Sequence, residues 1–220
     1  MINPKLFLIP VFLLVSSLLF AQKSVNYEMK TKSFTVGLSV QGDLLTKNVP
    51  SGFFLDMGYD FRKLYEDQSF FMGIGPRLKA GWLRGNNDGA HTLNWLDISF
   101  NSLAVGASLA PSIGLELLDD PHMGLFLEGE AGVINYSTTA KLSDKYIELV
   151  GGQKKYNSTM NPYTAARLGL RFNIGSRKEA ALWVGVNNQN SDKMLEGLNI
   201  YEPRLKNKKI YTEFGFNLGF

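Results

Sequence analysis

The sequence predicts a closed, eight-stranded antiparallel β-barrel of up-and-down meander topology. Three observations carry this: apolar residues recur with period two, glycine and aromatics are abundant, and every strand charge falls on one parity. The chain has 220 residues with 22 Gly, 15 Phe, 9 Tyr and 3 Trp. That is enough for one barrel-sized domain, and a recurring glycine every second or fourth residue argues against helix throughout.

The elements follow in chain order. Residues 1–21 (MINPKLFLIPVFLLVSSLLFA) combine Lys5, an apolar run from Leu6 to Leu19 and small residues ending at Ala21. This is the pattern of a secretory signal peptide, cut after Ala21. The run is short for a spanning helix and holds Pro10. A short segment, 22–32, then leads into a barrel expected over 33–220.

The first strand pattern runs Phe34-Thr35-Val36-Gly37-Leu38-Ser39-Val40-Gln41. In the second, Phe53, Leu55, Met57, Tyr59 and Phe61 alternate with Phe54, Asp56, Gly58 and Asp60. The third sets Phe70, Met72, Ile74, Pro76, Leu78, Ala80 and Trp82 against Phe71, Gly73, Gly75, Arg77, Lys79 and Gly81. The fourth runs from Leu103 to Leu117, with Ser102, Ala104 and Glu116 among its opposite face. Met123 to Val133 oppose Phe126, Glu128 and Glu130 in the fifth. Ala166 to Ile174 oppose Arg167 and Arg171 in the sixth. Leu182, Val184 and Val186 oppose Ala181, Trp183 and Gly185 in the seventh. The eighth alternates Ile210, Thr212, Phe214, Phe216, Leu218 and Phe220 with Tyr211, Glu213, Gly215 and Asn217. Pro76 and Pro111 lack a ladder donor, so local distortion is expected at both.

Charge placement separates a soluble barrel from a membrane one. The apolar parity carries no Asp, Glu, Lys or Arg. The other parity holds Asp56, Asp60, Arg77, Lys79, Glu116, Glu128, Glu130, Arg167, Arg171 and Glu213. A continuous uncharged surface is expected to face acyl chains, and strands in lipid must close because unpaired backbone groups find no water there. The links alternate long and short: 44–50, 63–68, 84–101, 119–122, 138–161, 175–179 and 188–208. Short periplasmic turns and longer outer loops then put both termini in the periplasm of a Gram-negative cell. Aromatics are expected at two interfaces: Phe53, Trp82, Tyr136, Tyr163 and Tyr211 at the outer, Phe34, Phe61, Phe70, Phe172 and Phe220 at the inner.

With eight alternating segments and the terminal strand Tyr211-Thr-Glu-Phe-Gly-Phe-Asn-Leu-Gly-Phe220, the chain resembles the small OmpA/OmpX-like and PorT-like outer-membrane barrels. That resemblance implies that Phe214, Phe216, Leu218 and Phe220 serve as a signal for the barrel-assembly machinery. The PorT-like side of it implies a partner in an envelope or secretion complex. No peptidoglycan-binding domain like that of full OmpA-type proteins is expected.

Eight strands enclose a space that side chains fill, so the ten inward charges are expected to form a plug of ion pairs, with a gated or proton-sensitive pore as the alternative. With the 63–68 turn centred near 65.5, Asp56 is expected opposite Gly75 and diagonal to Arg77. The absence of cysteine and the two histidines exclude disulfide scaffolds and thiolate or His-rich metal sites; no metal and no cofactor is expected. A net charge of +3 gives no nucleic-acid signal. His91, beside Thr92, and His122 fall in connections without a serine and an acid at catalytic spacing. Gly106-Ala-Ser108-Leu-Ala110 lacks the second glycine of a nucleophile elbow, so no enzyme is expected. Gly85–Gly89 and Gly151-Gly152 read as loops, with no helix after them to cradle phosphate. Lysines and arginines of the long links (Lys141, Lys145, Lys154 and Lys155; Lys193, Arg204, Lys206 and Lys208) are candidates for contact with lipopolysaccharide phosphates, or ordinary solvated residues. Outer-membrane lipid is the expected surrounding.

Overall fold

The structure, a computed structural model, describes residues 32–42, 51–64, 70–87, 98–119, 122–142, 154–174, 178–189, 194 and 211–220. Eight strands are present: β1 (Lys32–Gly42), β2 (Ser51–Leu64), β3 (Phe70–Asn87), β4 (Ile98–Asp119), β5 (His122–Leu142), β6 (Lys154–Asn173), β7 (Glu179–Asn187) and β8 (Tyr211–Gly219). Each pairs antiparallel with the next, and β8 returns to β1, so the meander closes into a barrel. The closing register runs from Thr35 opposite Gly219 to Gly42 opposite Thr212. The terminal Phe220 extends it, exchanging backbone bonds of 3.2 and 2.8 Å with Phe34. The signal-peptide segment 1–21 lies outside the described residues.

Both prolines interrupt a ladder without shifting it. Beside Pro76, β2–β3 pairing stops at Gly58–Arg77 and resumes at Phe61–Ile74. Beside Pro111, β4–β5 pairing stops at Leu109–Ala131 and resumes at Ser112–Glu128. A proline nitrogen has no hydrogen to give, so the break falls at the proline. A true register shift occurs elsewhere, between Glu116 and Leu118.

Strand lengths are uneven. β4, β5 and β6 have 22, 21 and 20 residues, while β7 and β8 have 9 each. The excess lies at the long-link end, where β6 begins at Lys154 although its pairing with β7 reaches only Ala165–Asn187. This corrects two boundaries. Much of 84–101 and 138–161, expected as loop, is strand, and Lys141, Lys154 and Lys155 lie within β5 and β6. The missed segments place Ser99, Asn101, Ser137, Thr139 and Ser158 on the outward parity, so the apolar alternation that marks the lower strands is absent there. Lys145, Lys193, Arg204, Lys206 and Lys208 lie outside the described residues, as does His91. His122 opens β5, opposite Asp119.

Candidate functional site

The inward face of the barrel is the candidate site. Six carboxylates (Asp56, Asp60, Glu128, Glu130, Glu179 and Glu213) and five cations (Arg62, Arg77, Lys79, Arg167 and Arg171) are buried inside it. Strand parity puts them there: on β2, Asp56, Asp60 and Arg62 share one face while Leu55, Met57, Tyr59 and Phe61 share the other.

At the centre, Arg167 on β6 reaches Glu128 at 2.9 Å and Glu213 at 2.8 Å, and also contacts Glu130. Its guanidinium lies 4.3 Å from the Trp183 ring centroid. Lys79 sits 3.5 Å from Asp56 and 3.4 Å from Glu130 and donates to the Tyr163 hydroxyl at 2.7 Å. Ser39 donates to Asp56 at 3.3 Å, and Asn187 donates to both Gln41 and Glu213. Toward the short-turn end, Arg77 bridges Asp60 at 2.6 Å and Glu128 at 3.0 Å. Arg62 joins Asp60 at 3.0 Å to Glu179 at 2.6 Å, tying β2 to β7. Buried charges persist when each has close opposite partners, and four of these links, Arg62–Glu179, Arg77–Glu128, Lys79–Glu130 and Arg167–Glu213, run between strands that are not neighbours in the barrel wall.

Nine of the ten charges expected inside are buried. The tenth, Glu116, is half-buried opposite Gly124, where the β4–β5 register shifts. Arg62 and Glu179 lie just beyond the sequence patterns of β2 and β7, which end at Phe61 and begin at Ala180. The even parity of β2 and odd parity of β7 simply continue through them. The β2–β3 register also differs from expectation: Asp56 opposes Lys79, not Gly75. The shift is an even number of residues, so every side chain keeps its face.

The interior is not polar throughout. At the long-link end, Phe54, Leu83, Phe100, Ala104, Ile134, Tyr136, Ala140, Tyr163 and Met194 form a buried apolar cluster. A smaller one, Phe71, Phe126, Ala181 and Trp183, lies on the other side of the charges. Tyr136, Tyr163 and Tyr211, expected at the outer interface, instead point inward and are buried. Phe53 and Trp82 do face outward, tilted against each other at 6.2 Å. So do Phe34, Phe61 and Phe220 at the other end, where Phe172 is buried. Inward aromatics stand opposite glycines: Phe54 opposite Gly81, Phe71 opposite Gly114, Phe126 opposite Gly169, and Trp183 opposite Gly215.

Between its polar ends the outward face is apolar. Its exposed members include Leu38, Leu55, Ile74, Leu78, Val105, Leu109, Leu127, Leu168, Val184 and Phe214, and Leu78 alone is 60% exposed.

No family model and no curated protein matches the chain. Among solved structures it is similar to Ail, the attachment invasion locus protein of Yersinia pestis, in complex with the heparin analogue sucrose octasulfate. The identity is 16%, over 86% of this chain and 95% of that one, with a TM-score of 0.40. Neisserial surface protein A is similar at 10% identity, over 86% and 94%, with a TM-score of 0.38. The outer membrane enzyme PagL is similar at 13%, over 84% and 97%, with a TM-score of 0.35. Among the described residues no cluster of His, Asp and Glu is arranged to hold a metal ion.

Proposed function

We propose that this chain is an integral outer-membrane barrel with a closed interior, acting as a structural, interaction or accessory component of the envelope. The observation that carries the reading is the outward belt. A barrel in water would not expose Leu78, Leu103, Val105 and Leu109 (all above half exposed) while burying eleven charged side chains among the described residues. In lipid the same arrangement is the stable one. The surrounding partner is then outer-membrane lipid, with lipopolysaccharide reached by the long-link end. The termini lie on the periplasmic side, where the short turns gather. The outward-parity Phe214, Phe216, Leu218 and Phe220 fit a terminal signal for the barrel-assembly machinery. An OmpA/OmpX-like or PorT-like relationship, with a protein partner in an envelope or secretion complex, is the finer form of this reading.

The purified mature chain, from Gln22 onward, is expected to need detergent or lipid vesicles to stay folded and dispersed. If it remains monomeric and dissolved in plain buffer, the belt faces water and the reading fails. A narrow pore is the second reading, favoured by the column of charges through the lumen. Against it stand the interlocked ion pairs and the apolar cluster at one end. Catalysis has the weakest support, since the sequence sets no serine and acid at catalytic spacing beside either histidine; an outer-leaflet lipid-modifying activity abolished by His91→Ala would reinstate it.

A further inference from the structure

Arg171 stands apart from the other buried cations. Arg62, Arg77 and Arg167 each have at least two carboxylates within 3.0 Å, whereas the nearest to Arg171 among the described residues is Glu179, 4.0 Å from its Nε. Phe71 and Phe126 flank the guanidinium at 5.0 and 5.3 Å. They hold it in place and offer it no acceptor. Its buried Nη1 takes part in no hydrogen bond, and neither does the buried Oε1 of Glu179. A buried donor and a buried acceptor left this way are both costly.

Both residues line one cavity, together with Asp60, Arg62, Arg77 and Glu128. The cavity has about 20 Å³ open to the centre of a water, room for about one molecule. Its walls carry three guanidiniums and three carboxylates. An ion of either sign would upset that balance, and a neutral polar guest would not. Thr35 and Gly219, which also border it, pair with each other near the strand ends on the short-turn side. The other end of the lumen is closed by the Phe54–Leu83–Phe100 cluster.

We propose that this cavity is a hydration site, in which ordered water reached from the short-turn end joins Arg171 Nη1 to Glu179 Oε1. The inference requires only the folded barrel, so it stands or fails separately from what surrounds the belt.

Crystals of the mature chain in detergent, grown in sodium bromide, test the occupant directly. Ordered density within hydrogen-bond reach of both atoms, without anomalous signal, is the expected result. A bromide peak would make it an anion site, and featureless density would leave the cavity dry; either overturns the proposal. A double-mutant cycle tests the same point in solution. Ala181 lines the cavity, so Ala181→Val intrudes on the guest and is expected to lower the urea midpoint. Most of that loss should vanish when Arg171 is replaced by Met, because no guanidinium is then stranded. Equal losses in both backgrounds would mean simple overpacking and would overturn the proposal.

Discussion

Arg77 is pinned between Asp60 at 2.6 Å and Glu128 at 3.0 Å, and all three are buried. Removing the cation leaves two carboxylates enclosed with less compensation, and breaking a buried pair in this way costs about 3–5 kcal/mol. Arg77→Ala is therefore expected to lower the urea midpoint in detergent or vesicles, and an unchanged midpoint would remove Arg77 from the network. At this scale the sequence was largely readable. A charge on the inward parity of an alternating strand has nowhere to go except the lumen, which placed Asp56, Asp60, Arg77, Lys79, Glu128, Glu130, Arg167, Arg171 and Glu213. Their pairings were not readable. They depend on register across the wall, which a four-residue displacement of β2 against β3 rewrites without changing any face.

At the scale of a strand, glycines make room for rings. A Cβ added to Gly215 would come within 2.8 Å of the Trp183 side chain, and one added to Gly114 would lie 2.6 Å from the Leu125 carbonyl oxygen and closer still to the Phe71 ring. Gly215→Ala is expected to destabilise the barrel by about 1–3 kcal/mol through overpacking, read as a lower unfolding midpoint; no loss would mean that the ring shifts freely. The outward face gives the opposite test. Leu78→Arg places a cation mid-strand on β3, at a cost of about 2–4 kcal/mol if hydrocarbon lies there. Vesicle refolding titrations should register that cost, while the same change in a water-facing belt would be nearly neutral. Strand existence was legible from period two, but strand ends were not. The upper reaches of β4, β5 and β6 carry Ser, Thr and Asn on the outward parity, so the hydrophobic signal stops well before the hydrogen-bonded ladder does. The same blindness hid the inward tyrosines, since an aromatic near a strand end reads equally well as an interface anchor.

For the whole molecule, the central question is whether anything passes through. The lumen is crossed by Arg167 and its carboxylates, and beyond them Phe54, Leu83, Phe100 and Met194 belong to one buried apolar cluster. Planar bilayers containing the protein are expected to show no single-channel steps; discrete conductance would revive the pore reading. Closure itself was legible, because eight alternating strands with an uncharged face must join their edges. The apolar seal was not, because part of it comes from Met194, isolated from any strand pattern.

Among the described residues the hydrogen-bonded ladder is longer on one side, from β3 to β6, than on the other, from β7 to β2. A post cut square looks alike from every side, but this ladder has a long flank and a short one. It therefore has a heading in the plane it occupies, and two copies meeting along their long flanks would share more ladder than two meeting along their short ones.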